Sequence, residues 1–222
     1  MKRLVLQHYT GALGEVEQRS MLSIRELARR EGADYQFLSG NVFSEKLTPP
    51  MQKMALLDPC FDDYDVVAML DMDVFIRSGM QESLFEQLGI GVSGPSQRRL
   101  KWAFVRKMKG LVHWRYPYWC GSLWKLDRPQ RQAFRSKLPL VNLERYNNGR
   151  LEDEGVMHQL ARHCRFTGGV LPGGDKWSRP SWRDDLEGAA LIHVRPRISK
   201  AGGKRPKLEN LSDLIRRGLI DG

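Results

Sequence analysis

Apolar positions in the first half of the chain alternate between two rhythms. A short continuous run, Leu4-Val5-Leu6, ends at Tyr9-Thr10-Gly11 and predicts a buried strand over residues 2–8. Val16, Met21, Ile24, Leu27 and Ala28 then fall on one face of a helix that Gly32 can terminate. Residues 35–38 read as a second strand. Thr48-Pro49 reads as an N-cap with proline at the first helical position, and Met51, Met54 and Leu57 recur until Pro59. Residues 64–70 form a longer apolar run that fits a central parallel strand. Strand, helix, strand, helix, strand is the opening of an α/β domain.

The second half is less regular. Residues 82–88 read as a short helix and 90–93 as a strand. Asp127 is placed to cap a helix running to Lys137, and Val156, Met157, Leu160, Ala161 and Cys164 repeat at helical spacing from near Asp153. Residues 165–171 and 189–194 read as late strands. The pattern predicts one domain over residues 1–199, followed by a mobile basic tail over 200–222.

Composition changes this picture little. The chain has 222 residues, 41% hydrophobic and 28% charged, which excludes disordered and collagen-like classes. No apolar run approaches the ~20 residues of a membrane span. Cys60, Cys120 and Cys164 stand apart without a paired spacing, which suggests a reducing, cytoplasmic setting. Charge changes it more. Lysine and arginine number 36 against 26 acids, a formal net charge of +10. Twelve basic residues and one acid, Asp127, lie within residues 98–137, so this stretch holds the whole excess. An anionic partner is implied.

The strongest chemical signal is Asp71-Met72-Asp73, where the third strand runs out. Ligand crevices of open α/β sheets lie beyond the carboxyl ends of strands. Two aspartates at i and i+2 of an extended segment point the same way, which suits Mn²⁺ or Mg²⁺ shared with a diphosphate. The segment Tyr64-Asp-Val-Val-Ala-Met-Leu-Asp71-Met-Asp73 resembles the strand and DxD motif of GT-A glycosyltransferases, which use nucleotide-sugar donors. The resemblance implies a single Rossmann-like GT-A domain with a mostly parallel sheet and flanking helices. It implies nucleotide contacts for Tyr9, Thr10 and Lys53, and a donor-sugar wall at Gly121 and Ser122. It implies His193 as a third metal ligand beside Asp71 and Asp73, and it places Asp153 and Glu154 beside the reacting sugar carbon. A tail lysine, Lys204 or Lys207, would add charge as the tail closes over the donor.

Transfer from a nucleoside diphosphate needs the departing diphosphate stabilised and a carboxylate facing the sugar or the acceptor hydroxyl. Asp153 is the first candidate and Glu154 the second. Residues 98–109 carry Leu100, Phe104, Val105 and Met108 on one helical face with lysines and arginines around it. Such a segment suits an anionic glycan, a lipid-linked acceptor or an anionic membrane surface. Two other classes compete. Asp71-Met-Asp73-Val74 also fits the DxDx[TV] motif of haloacid dehalogenase-like phosphohydrolases, although that motif usually opens its domain. A basic stretch interleaved with aromatics is also a nucleic-acid footprint, but it leaves the DxD unexplained.

Overall fold

The computed structural model describes residues 1–92, 119–147, 152–166, 169–198 and 204–222. The basic segment 98–109, with Trp102, Trp114, Tyr116 and Tyr118, lies outside them.

Strand β1 (Arg3–Tyr9) is followed by helix α1 (Glu15–Arg30), β2 (Asp34–Ser39), a 3-10 helix (Pro49–Leu57) and β3 (Val66–Leu70). Strands β5 (Gly91–Val92) and β6 (Cys120–Asp127) complete a five-stranded sheet of order β2-β1-β3-β6-β5. β1 pairs parallel with both β2 and β3, whereas β6 runs antiparallel to β3 and to β5. The period-2 rule assigns the faces. Leu4, Leu6, Val67 and Met69 join the core beneath the 3-10 helix, α2 (Arg128–Lys137) and α3 (Glu152–His163). Val5, Ala68 and Leu70 join the opposite core with Ile24, Leu27 and Ala28 of α1. A three-stranded sheet of order β4-β8-β7 lies beyond the end of β3, built from β4 (Val74–Ile76), β7 (Arg179–Pro180) and β8 (Leu191–His193).

The expected boundaries of α1 hold. Gly32 ends it at φ +59°, a conformation that favours glycine. Asp127 caps α2, accepting the Gln130 N–H at 2.7 Å while the Gln130 side chain returns to the Asp127 N–H.

Four expectations are corrected. The segment after Thr48 is a 3-10 helix, and Thr48 does not cap it, because its hydroxyl donates to buried Glu152 instead. Residues 82–88 form turns. Glu31 accepts the Leu84 N–H, and the Lys125 ammonium takes the carbonyls of Leu84 and Gln87 that a helix would need. The described part of residues 165–171 contributes a bridge from Val170 to Gly91 in place of a strand, and Arg165 turns left-handed at φ 54° two residues past the end of α3. The final segment carries a hairpin of β9 (Arg197–Ile198) and β10 (Lys204–Arg205), then α4 (Lys207–Arg216). Leu211, Leu214, Leu219 and Ile220 pack there against Val16, Phe75 and Ile192, so this end of the chain is part of the core.

The basic excess also looks different once folded. Of the twelve cations in residues 98–137, the five from Lys125 to Lys137 are described, and four of these are spent internally. Arg131 is fully buried, donating to the carbonyls of Leu126, Phe61 and Tyr64. Arg128 pairs with Asp65 and Arg135 with Asp62. Lys125 is the fourth, and burial pushes its ammonium down to about 8, only partly opposed by Glu31. A lysine that titrates lower in the folded than in the unfolded chain binds fewer protons when folded, so stability rises with pH between about 8 and its ordinary value near 10.5. Urea unfolding at pH 8 and pH 10 should show this rise in the wild type. It should show less of it in Lys125→Met, and equal rises in the two proteins would refute the assignment.

Candidate active site

The site forms where β3 gives way to β4. Leu70 is the last residue of β3, and Asp71–Asp73 make a turn rather than the extended segment expected from the i, i+2 spacing. The turn is held from behind. The Asp71 N–H donates to the Ser122 carbonyl at 3.0 Å, and the Val74 N–H returns to the Asp71 carbonyl at 3.3 Å. Gln7 of β1 donates to that carbonyl and to Ser20 of α1, whose hydroxyl in turn donates to the Val74 carbonyl at 2.7 Å. Gln7 and Ser20 are fully buried, so this polar brace sits inside the core.

Pairing of β4 with β8 supplies the histidine. The register sets Val74 opposite His193, and the Val194 N–H donates to the Asp73 carbonyl at 2.7 Å. The Nε2 of His193 lies 2.9 Å from Asp73 Oδ1 and 3.9 Å from Asp71 Oδ2. Asp71, Asp73 and His193 each offer one ligand atom, and the three atoms lie within 4.8 Å of one another. Two carboxylates and an imidazole form a donor set suited to Mn²⁺ or Mg²⁺ rather than to soft ions. Burial alone would raise the Asp73 pKa, but His193 and Lys207 outweigh it and hold the carboxyl well below the usual range. An anionic carboxylate is what a cation requires.

Two lysines close the arrangement. Lys207, the first residue of α4, reaches Asp73 Oδ2 at 2.5 Å. Of the two tail lysines, Lys207 is brought to the carboxylates, and Lys204 is placed by its backbone on β10. Lys53 pairs with Asp71 on one side and with Asp153 at 3.0 Å on the other, and donates to the Gly121 carbonyl at 2.8 Å. Burial would lower its pKa, but Asp153 and Asp71 outweigh it and keep the ammonium charged.

Around this cluster opens a cavity of about 440 Å³. Of the candidates, Tyr9, Thr10, Lys53, Asp71 and Asp73 line it, with His8 at its wall. His8 donates its Nε2–H to the Gly40 carbonyl at 2.7 Å, and burial pulls its pKa below the ordinary value. Asp153 and Glu154 stand behind Lys53 at the start of α3, both buried. Ser122 points away from the cavity into the core, where its hydroxyl meets Ser178 at 2.5 Å. A larger cavity of about 510 Å³ beside α1, lined by Leu22, Ile76 and Asp221, shares no residue with this site.

Gly121 explains how Asp153 comes so close. A Cβ on Gly121 would stand 2.3 Å from Asp153 Oδ2, and the Gly121 N–H donates to Glu154 at 2.8 Å. Gly121→Ala must push Asp153 off Lys53. Displacements on the order of 1 Å cost about 100-fold in rate at catalytic groups. If this site turns over a donor, Gly121→Ala should lose about that much turnover in protein that is still folded at the assay temperature. An unaltered rate would remove Asp153 from the chemistry.

No protein-family model matches the sequence, and no curated protein matches it. Solved structures do. A glycosyltransferase involved in the glycosylation of the major capsid of PBCV-1 matches with a TM-score of 0.63 at 10% identity, covering 96% of this chain and 99% of that one. The galactosyltransferase LgtC, solved in complex with donor and acceptor sugar analogs, matches at 0.56 and 10%, covering 97% and 100%. Mouse xyloside xylosyltransferase 1, in its apo form, matches at 0.51 and 15%, covering 87% and 97%. At these identities the likeness is one of fold, and the fold is GT-A.

Proposed function

We propose that the protein is a metal-assisted glycosyltransferase that takes a sugar from a nucleoside-diphosphate donor. The observation that carries this reading is the convergence of Asp71, Asp73 and His193 beside a cavity at the carboxyl end of the parallel strands of a GT-A fold. The fold and the full-length matches to glycosyltransferases support it further. The phosphohydrolase reading has less support, because β1, α1 and β2 precede the DxD turn.

A divalent cation held by Asp71, Asp73 and His193 would supply Lewis-acid stabilisation of the departing diphosphate. Tyr9 and Thr10, which line the cavity, are the residues assigned to the nucleoside. Lys53 and Lys207 place positive charge beside the position where negative charge develops on the leaving group. Asp153, oriented by Lys53, is the carboxylate assigned to face the sugar carbon or to accept the proton of the attacking hydroxyl, with Glu154 behind it. The seven cations from Arg98 to Arg115 favour an anionic acceptor, either a glycan or a lipid-linked sugar.

The test is release of nucleoside diphosphate from a panel of UDP- and GDP-sugars in the presence of Mn²⁺. Turnover of one donor, lost in excess EDTA and restored by Mn²⁺, is the expected result. No turnover of any donor, or turnover indifferent to EDTA, would count against the reading.

A further inference from the structure

His193 uses one ring nitrogen on the carboxylates, and its other nitrogen meets a chain of buried hydroxyls that the site chemistry has not yet employed. Nδ1 lies 3.3 Å from Ser178 Oγ, Ser178 Oγ lies 2.5 Å from Ser122 Oγ, and the Ser122 hydroxyl donates to Cys120 Sγ at 3.3 Å. All four side chains are buried, with residue exposures of 3% or less. Arg195 Nε stands 3.2 and 3.3 Å from the two ring nitrogens. Their lone pairs diverge, so this contact lies against the face of the ring and leaves the in-plane position at Nδ1 to Ser178.

The backbone makes the same connection. The Ser122 carbonyl accepts the Asp71 N–H, and β7, which directly follows Ser178, pairs parallel with β8 so that Pro180 stands opposite His193. One serine therefore holds Asp71 through its main chain and, through Ser178, the imidazole that faces Asp73.

We propose that Ser178 and Ser122 are positioning residues that fix the tautomer and orientation of His193, presenting Nε2 towards Asp71 and Asp73. The proposal rests on the metal reading above. In a neutral ring whose Nε2 lone pair is free to bind a cation, the proton sits on Nδ1 and donates to Ser178 Oγ. The Ser178 hydrogen then goes to Ser122 Oγ, and the Ser122 hydrogen goes to Cys120 Sγ. The ring N–H and both hydroxyls in this line have acceptors, and the line ends on Cys120 Sγ, which also takes the Arg195 guanidinium at 3.4 Å. Hydrogen-bond partners behind a ligating histidine fix its tautomer and ring orientation, and their loss weakens metal binding about 10–100-fold.

The experiment compares full-length wild type, Ser178→Ala and Ser122→Ala in the absence of any donor. Mn²⁺ affinity is read from the electron paramagnetic resonance of the free ion. The ring protonation pattern of His193 is read from long-range ¹H–¹⁵N correlations of the Mg²⁺-loaded protein. The proposal expects Mn²⁺ affinity about 10–100-fold weaker in Ser178→Ala and a smaller loss in Ser122→Ala, where the contact to His193 survives. It expects the wild-type proton on Nδ1. Unchanged Mn²⁺ affinity in Ser178→Ala, or a wild-type proton on Nε2 with Mg²⁺ bound, would overturn the relay while leaving the metal site standing. A wild type that binds no Mn²⁺, with or without UDP, would overturn the metal reading and the relay together. The correlation spectrum of the wild type keeps the test decisive even if Ser178→Ala fails to fold.

Discussion

Replacing Asp73 by asparagine should reduce donor turnover by about 1000-fold, on the order of 4 kcal/mol of transition-state stabilisation. The chain should still fold, giving up the stability of the ion pairs that the carboxylate makes with His193 and Lys207. Asp73 is braced through its backbone by the Val194 N–H, which the substitution leaves in place. Of its side-chain partners, Lys207 is 36% exposed and can turn to water once the carboxylate is gone. The effect therefore falls on the chemistry, and the measured pair is turnover at saturating Mn²⁺ and Tm by thermal unfolding. A variant that keeps wild-type turnover, or one that loses activity only because it is unfolded at the assay temperature, would contradict this account of Asp73.

The second large effect is on stability. Lys53 stands between two carboxylates, with 12% of its own side chain exposed, 7% of that of Asp153 and 22% of that of Asp71. Lys53→Ala leaves Asp153 as a buried charge without its cation, a change that typically costs 3–5 kcal/mol. Asp71 is better hydrated and softens the loss, so about 3 kcal/mol is expected from urea unfolding at pH 7. Adding Asp153→Asn to Lys53→Ala should recover part of that loss, because the uncompensated charge disappears. Arginine at position 53 should not restore the wild type, since its planar fork does not reproduce a point charge shared by two carboxylates and a carbonyl. If the single and double variants were equally unstable, Lys53 and Asp153 would not be coupled.

Legibility in the sequence followed burial. β1 and β3 are packed on both faces, so Leu4-Val5-Leu6 and Val66–Leu70 appear as apolar runs that no helix of that length could use. α3 was visible because Val156, Met157, Leu160 and Ala161 repeat at helical spacing. The missed elements are those decided by one distant polar group. Lys125 lies some 40 residues from the carbonyls of Leu84 and Gln87 that it removes from a would-be helix. Thr48 looked like a cap until Glu152 claimed its hydroxyl. The internal use of these cations was hidden for the same reason, because no local pattern distinguishes a solvated arginine from Arg131, whose guanidinium is consumed by three carbonyls.

Within the site, Asp71 and Asp73 were legible from their place after a buried strand, while Asp153, Glu154 and His193 entered through the resemblance. Gln7, Ser20, Ser178 and Arg195 were not legible. Each is a polar residue in an apolar setting, and that setting arises only when β4 pairs with β8 and α1 packs across the turn. The place of Lys207 depended on where α4 begins, which sets it against Asp73.

The central claim is that Asp71, Asp73 and His193 hold a divalent cation that meets a nucleoside diphosphate in the cavity beside them. Crystals grown with Mn²⁺ and UDP, or GDP where the turnover panel selects it, test this most directly through an anomalous difference map collected near the manganese edge. The account predicts a single strong peak within coordination distance of Asp73 and of His193 Nε2, with diphosphate oxygens completing its shell and Lys207 moved off Asp73. Nucleotide bound without a peak at that position, or a manganese peak at other residues, would contradict it.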